Sequence, residues 1–334
     1  MIARYFSRRR SARWLGLVAL ATGLLCAQEP VRAASWPEKP IVFVVPSAAG
    51  GSPDVLSRVM ANELSKILGV AIVIDNKPGA AGNIGIMQIK GKPADGYTIG
   101  YGNVNTLAVN RALFKRLPYD VDKDLVPVAQ AFNVYNALVV RNESPYRNAA
   151  DLIAAARKAP GKLSFGAPGV GTTGHMGGEL FRSMAGLDVL FVSYNGGPAA
   201  LQDLLGGRID YMFANSSEVE PLIGSGKLRS LGVSSLRRLP LLPNVPTLDE
   251  AGLKGYETVV WGGIVAPRGT PKEVVDKLNA AVQTALQSSA VRDGFARLGA
   301  EPAGGSPEDF QKLMARETAR WGRIIDKAGI EKLD

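Results

Sequence analysis

Residues 41–60 read IVFVVPSAAGGSPDVLSRVM, and their order decides the fold. Ile41 to Val45 is an unbroken run of β-branched and aromatic residues, the composition of a strand buried on both faces. Pro46 to Ser52 is a turn built from Gly and other small residues. Pro53 stands where the first turn of a helix tolerates it, because its missing N–H would find no partner there anyway. Val55, Leu56, Val59, Met60, Leu64, Ile67 and Leu68 fall on one face of the helix that follows. Strand, glycine-rich turn and helix form the repeating unit of α/β folds with mainly parallel sheets.

The same order continues outward. Residues 71–74 and 97–101 are predicted strands and complete a first block. A second block has a helix over 148–159, a strand at 163–165, a glycine-rich turn at 169–174 and a helix at 175–184. It continues with a strand at 189–192, a helix at 198–205 and a strand at 209–213. The apolar stretches 132–140 and 259–266 each carry the chain from one block to the other. Two helices close the chain near 271–289 and 307–328. In the last, Phe310, Leu313, Met314, Trp321, Ile324 and Ile325 make an apolar stripe for a core. The arrangement predicts two hinged domains, 34–137 with 258–334 and 138–257. The loops at the carboxyl ends of their strands face a shared cleft.

The start of the chain has a different character. Arg8, Arg9, Arg10 and Arg13 precede an apolar stretch from Trp14 to Leu25, and Val31 and Ala33 occupy the −3 and −1 positions of a cleavage site. This predicts a secretory signal over 1–33, too short for a spanning helix. A twin-arginine signal at Arg8-Arg9 and a lipoprotein signal at Cys26 fit less well than ordinary secretion. Removing six arginines (Arg4, Arg8, Arg9, Arg10, Arg13, Arg32) and Glu29 lowers the formal charge from +9 to +4. No Lys/Arg cluster remains that would suit nucleic acid. Cys26, the one cysteine, leaves with the signal, so the mature chain forms no disulfide.

Two loops stand between a strand and a helix start, one in each block. The first spans Ser47, Ala49, Gly50, Gly51, Ser52 and Asp54. Free N–H groups at a helix start and the helix dipole favour an anion there. The same residues also read as a tight turn with Ser52 as N-cap and Asp54 complementing the dipole. The second runs through Gly169, Gly171, Thr172, Thr173, Gly174 and His175. Its glycines match G-x-G-x-x-G, but Asp188 lies before the next strand rather than at its end, so a dinucleotide is not expected. His175 is the only histidine, and with no cysteine remaining it cannot build a common transition-metal site. Its expected role is orientation, through a hydrogen bond to nearby backbone. Asn103, Thr106, Asn195 and Asn215 end other strands and serve either as helix caps or as polar groups of a small site.

At these residues the chain resembles the receptors of tripartite tricarboxylate transporters, the Bug receptor family. The carrying segments are Trp36-Pro37-Glu38-Lys39-Pro40, Val45-Pro46 with Ala49-Gly50-Gly51, and Asn76-Lys77-Pro78-Gly79-Ala80-Ala81-Gly82-Asn83. Asp95-Gly96-Tyr97-Thr98, Gly171-Thr172-Thr173-Gly174-His175, Val245-Pro246-Thr247 and Glu250-Ala251-Gly252 follow in order. The resemblance covers residues 36–330. It implies a periplasmic-binding-protein-like α/β fold with two domains joined by two crossover strands. It also implies a small carboxylate pinched between the 49–52 and 171–175 loops, with no cofactor and no metal. Integral membrane permease subunits would be the partner of a monomeric periplasmic receptor. Ser47, Met176 and Asn215 depart from the family's usual aromatic, leucine and acid. Two other readings remain open: a periplasmic sensor that binds but transports nothing, and a secreted enzyme, for which no nucleophile–base pair or G-x-S-x-G elbow is present.

Overall fold

The computed structural model describes residues 36–334, and Lys39–Asp334 form one compact unit. The predicted signal segment, its expected cleavage site and Cys26 lie outside the described residues. The first block contains β1 (Ile41–Val45), α1 (Ser52–Leu68), β2 (Ile72–Asn76), α2 (Asn83–Lys90) and β3 (Thr98–Asn103). A π-helical turn (Asn105–Val109) runs into a short helix (Asn110–Leu113), and β4 (Leu125–Arg141) follows. The second block has α3 (Ala149–Lys158), β5 (Ser164–Ala167), α4 (Thr173–Ala185), β6 (Leu190–Ser193), α5 (Gly197–Leu205), β7 (Tyr211–Asn215), α6 (Ser216–Gly224) and β8 (Leu228–Val233). The chain returns through β9 (Val259–Pro267) and ends with α7 (Lys272–Gln287), α8 (Ser289–Arg297), β10 (Ala300–Pro302) and α9 (Pro307–Ala328).

The strand order is β2-β1-β3-β9-β4-β7-β5-β6, with β8 and β10 also paired to β4. β1 is parallel to β2 and β3, and β5 is parallel to β6 and β7. Every pair that involves β4 or β9 is antiparallel, so the sheet is mixed rather than mainly parallel. The reason is the return path: the two strands that carry the chain between the blocks run in opposite directions side by side.

β4 is longer than the 132–140 stretch that sequence marks as a strand. It pairs with β9 from Leu125 to Tyr135 and with β7 from Asn136 to Val139. Pro127, which lacks an N–H, sits next to a register shift in the β4–β9 ladder and so interrupts no regular pairing. Alternate residues of β4 enter opposite cores: Leu138 and Val140 join one cluster, Ala137 and Val139 another. Tyr211 and Phe213 of β7 divide from Met212 and Ala214 in the same way. A strand apolar on both faces needs helices on both faces, and the second block supplies them.

The α9 stripe packs as sequence predicts. Phe310, Met314, Trp321 and Ile325 are buried in the core of the first block, with Leu313 and Ile324 at its margin. A capping box at Ser306 and Asp309 starts α9, and Gly329 in a left-handed conformation stops it. Among the described residues no helix is long and apolar enough to cross a membrane.

Candidate functional site

The loop after β1 is shaped from within by the first turn of α1. The N-cap is Gly51 rather than Ser52, and it makes no side-chain cap; Ser52 is the first helical residue. The Asp54 side chain is buried and folds back under the loop. Its Oδ2 accepts the Gly50 N–H at 2.8 Å and Arg58 Nε–H at 3.1 Å, and its Oδ1 accepts from Asn76 Nδ2 at 3.0 Å. Asn76 also donates to the Ser47 carbonyl at 3.1 Å. Burial pushes the Asp54 carboxyl up, but the hydrogen bonds from Arg58, Gly50 and Asn76 outweigh it and hold the group below its ordinary value. Asp54 is therefore an anion already satisfied by the protein, and Arg58 is a cation already paired. Ala49 and Gly50 stand exposed above them, with Ser47, Gly51 and Ser52 half-buried.

The loop after β5 is built around His175. Its imidazole is 3 % exposed and lies against Phe191, ring centroids 4.1 Å apart. Nδ1 accepts the Gly171 N–H at 3.1 Å, the backbone bond that sequence suggested for it. Burial, aided by the Arg182 charge, pushes its pKa down to about 4, so the ring is neutral at pH 7 and Nε2 carries the proton. Thr172 caps α4: its Oγ1 accepts from the His175 N–H at 3.4 Å and donates to the Gly169 carbonyl at 2.7 Å. Gly174 is obligatory here, since a Cβ would stand 2.6 Å from the Phe213 carbonyl oxygen.

The amides of Gly50 and Gly171 are thus spent inside the protein. The Ala49 N–H, ahead of Gly50, has no acceptor among the described residues, and further open donors lie at the helix starts. The N–H groups of Ser52 and Asp54 on α1, and of Thr173 and Gly174 on α4, have no acceptor among the described residues. These are the orphan amides that every helix start leaves.

Other predicted residues divide by role. Asn103 and Thr106 cap the π-helical turn: Asn103 Oδ1 accepts the Asn105 and Thr106 N–H groups at 3.1 and 3.0 Å, and Thr106 Oγ1 accepts the Asn103 N–H at 3.1 Å. Asn195 is exposed, with no hydrogen-bond partner among the described residues. Asn215 joins a relay: Asn136 Nδ2 donates to Asn215 Oδ1 at 3.2 Å, and Asn215 Nδ2 donates to Glu218 Oε1 at 3.0 Å.

The loops of the two blocks meet. Asn105 Nδ2 donates to the Gly171 carbonyl, and Leu113 and Asn110 stand against Gly171. Pro46 packs on Gly82 and Gly85, and Thr106 also packs on Gly82, so the first loop and the π-helical turn share one wall. Val170 and Met176 of the second block pack on the core of the first. Asn105 stands in the polar 103–106 loop that the sequence marks, whereas Asn76, Asn110, Asn136 and Glu218 are invisible to sequence reasoning as parts of a site, because no local pattern marks a residue whose partner is distant in the chain.

Comparison with known proteins places this geometry. The model of the family described as tripartite tricarboxylate transporter family receptor matches residues 56–330. A UPF0065 protein of the tcbD-tcbE intergenic region from Pseudomonas sp. (strain P51) is 39% identical over 319 residues, 95% of this chain and 94% of that protein. A solved structure of an R. palustris protein with adipate has a TM-score of 0.84 at 40% identity, covering 89% of this chain and 100% of its own. MatC from Rhodopseudomonas palustris with bound malate has a TM-score of 0.79 at 32% identity, covering 87% and 100%. The fold is the α/β fold of periplasmic binding proteins, and the chain belongs to the tripartite tricarboxylate transporter receptor family.

Proposed function

We propose that this chain is a periplasmic receptor that closes on a small carboxylate and delivers it to the membrane subunits of a tripartite transporter. The observation that carries the reading is the pair of helix starts. α1 and α4 begin at the carboxyl edge of the sheet, one in each block, with open N–H groups and no unpaired cation in either loop. Backbone amides at helix starts suit a carboxylate and need no side-chain charge. Adipate and malate in the two R. palustris structures support a carboxylate as the ligand class. The blocks 34–137 with 258–334 and 138–257 act as domains that open and close about β4 and β9. Neutral His175 and the paired Asp54 hold the loops rather than do chemistry, which favours a receptor over an enzyme.

The test is calorimetry of the exported protein with four- to six-carbon dicarboxylates and their methyl esters. Hydrogen bonds to a charged acceptor contribute roughly 1.5–3 kcal/mol each, so esterifying the gripped carboxylate weakens binding by at least about tenfold. An ester that binds as tightly as its acid contradicts the reading.

A further inference from the structure

The π-helical turn of the first block reaches the second loop at the Gly171 peptide. Asn105 Nδ2 donates to the Gly171 carbonyl, across 66 positions of sequence. The Asn105 side chain is half-buried and Gly171 is buried. Only the amide nitrogen can face this carbonyl, since the amide oxygen has no proton to give. The Asn105 backbone is held separately, its N–H going to Asn103 Oδ1 at 3.1 Å, so the side chain is left to serve the other block. Glycine is what lets the blocks come this close: a Cβ on Gly171 would stand 2.7 Å from Leu113 Cδ2. An apolar contact lies behind the bond, where Val170 and fully buried Met176 pack on the core of the first block.

Asn105 follows β3 and Gly171 follows β5, and the chain passes between their blocks through β4 and back through β9. A hydrogen bond is lost once donor and acceptor stand beyond about 3.5 Å, so a rotation that parts the two loops by an ångström or so breaks this one. Both of its partners belong to the protein, so the bond favours the closed arrangement before any ligand contributes. It also fixes the peptide two residues ahead of the open Thr173 N–H. We propose, resting on the closing motion described above, that Asn105 is a latch: a positioning residue whose bond to Gly171 sets how far the two blocks are closed before a ligand arrives. A ligand that binds the closed arrangement has its affinity reduced by the closed fraction, whatever its own contacts. Loss of the latch therefore weakens every ligand by one factor, whereas loss of a ligand contact discriminates among ligands.

The experiment combines small-angle scattering of the ligand-free protein with calorimetry, on wild type, Asn105→Ala and Asn105→Asp. The probes are the four- to six-carbon dicarboxylates and their monomethyl esters. Alanine removes the donor, and aspartate keeps the shape but sets an oxygen against the Gly171 carbonyl. Both variants should fold, because Asn103 still caps the turn. Without ligand they should be more extended than wild type, the aspartate variant more so. Every carboxylate that binds wild type should lose affinity in Asn105→Ala by one common factor of up to about tenfold. Unchanged scattering together with unchanged affinities in both variants overturns the latch and leaves the carboxylate receptor standing. Losses that differ among the carboxylates also overturn it, because Asn105 is then a ligand contact. If no carboxylate binds wild type, the carboxylate reading falls and the scattering alone decides the latch: more extended variants uphold it, and unchanged ones overturn it.

Discussion

His175 Nδ1 accepts the N–H of Gly171 across one turn, and this bond holds the second loop in place without a charge. The ring's folded pKa of about 4 lies below its unfolded value of 6.5, so the unfolded state binds the proton more readily between those values. The contribution of neutral His175 is fully present above pH 6.5 and is lost as pH falls toward 4. The shift amounts to about 3 kcal/mol in full, of which about 2 kcal/mol is lost by pH 5. Denaturant unfolding at pH 7.5 and pH 5 checks this. Wild type should lose stability between the two by roughly 2 kcal/mol more than His175→Gln does. Equal losses would place the proton elsewhere.

Arg182 links the second loop's helix to the end of the chain. It pairs with buried Glu179 at 2.7 Å and donates to the Ala328 carbonyl of α9 at 3.1 Å. Arg182→Ala leaves a buried carboxylate unpaired and an acceptor unmet. Since the arginine is partly exposed, the expected cost is about 2–3 kcal/mol, below that of a fully buried pair. Thermal unfolding should shift down by several degrees, and Arg182→Lys should recover part of the loss but not all, because one ammonium cannot reproduce the fork.

The glycines of the two loops separate by what surrounds them. Gly50 has φ +79° with nothing within 4 Å of a Cβ, whereas Gly174 would press a Cβ against the backbone at 2.6 Å. Gly50→Ala should therefore fold, at a cost of roughly 1–2 kcal/mol for the left-handed conformation. Gly174→Ala must move α4 or β7, and should lose more stability and most carboxylate affinity. Unfolding curves, with titrations of whichever carboxylate binds the wild type best, decide it on both variants; equal behaviour would contradict the close approach.

Asp54→Asn tests whether the first loop depends on an internal anion. The amide keeps one acceptor but offers an N–H₂ to donors on Gly50, Arg58 or Asn76. A lost charge-assisted hydrogen bond is worth roughly 1.5–3 kcal/mol, so affinity for the carboxylate should fall by about tenfold or more while circular dichroism stays native. Unchanged affinity would mean that the loop keeps its shape without the carboxylate.

Much of the architecture was legible before any coordinates. Pro53 and the 3.6-residue spacing from Val55 to Leu68 placed α1, and the Phe310 to Ile325 stripe placed α9, because helix period and start signals are local. The second block's strands begin one or two residues later than composition suggests, and α8 and β8 were not anticipated. The 125–131 part of β4 is not legible, since Pro127 argues against a strand unless the ladder shifts beside it.

The sequence by itself determined the α/β order, the two strand–glycine–helix loops, the crossings between blocks and the family resemblance. Only the tertiary structure decided which amides in those loops are open. Asp54 takes the Gly50 N–H and His175 takes that of Gly171, leaving those of Ala49, Ser52, Asp54, Thr173 and Gly174 as donors. It also brought Asn136 to Asn215, 79 positions apart, and left Asn136 Oδ1 without a donor. The physical reason is that helix starts and turns are set by neighbours in the chain. Whether a given polar group is satisfied depends on partners that only folding brings within 3 Å or so.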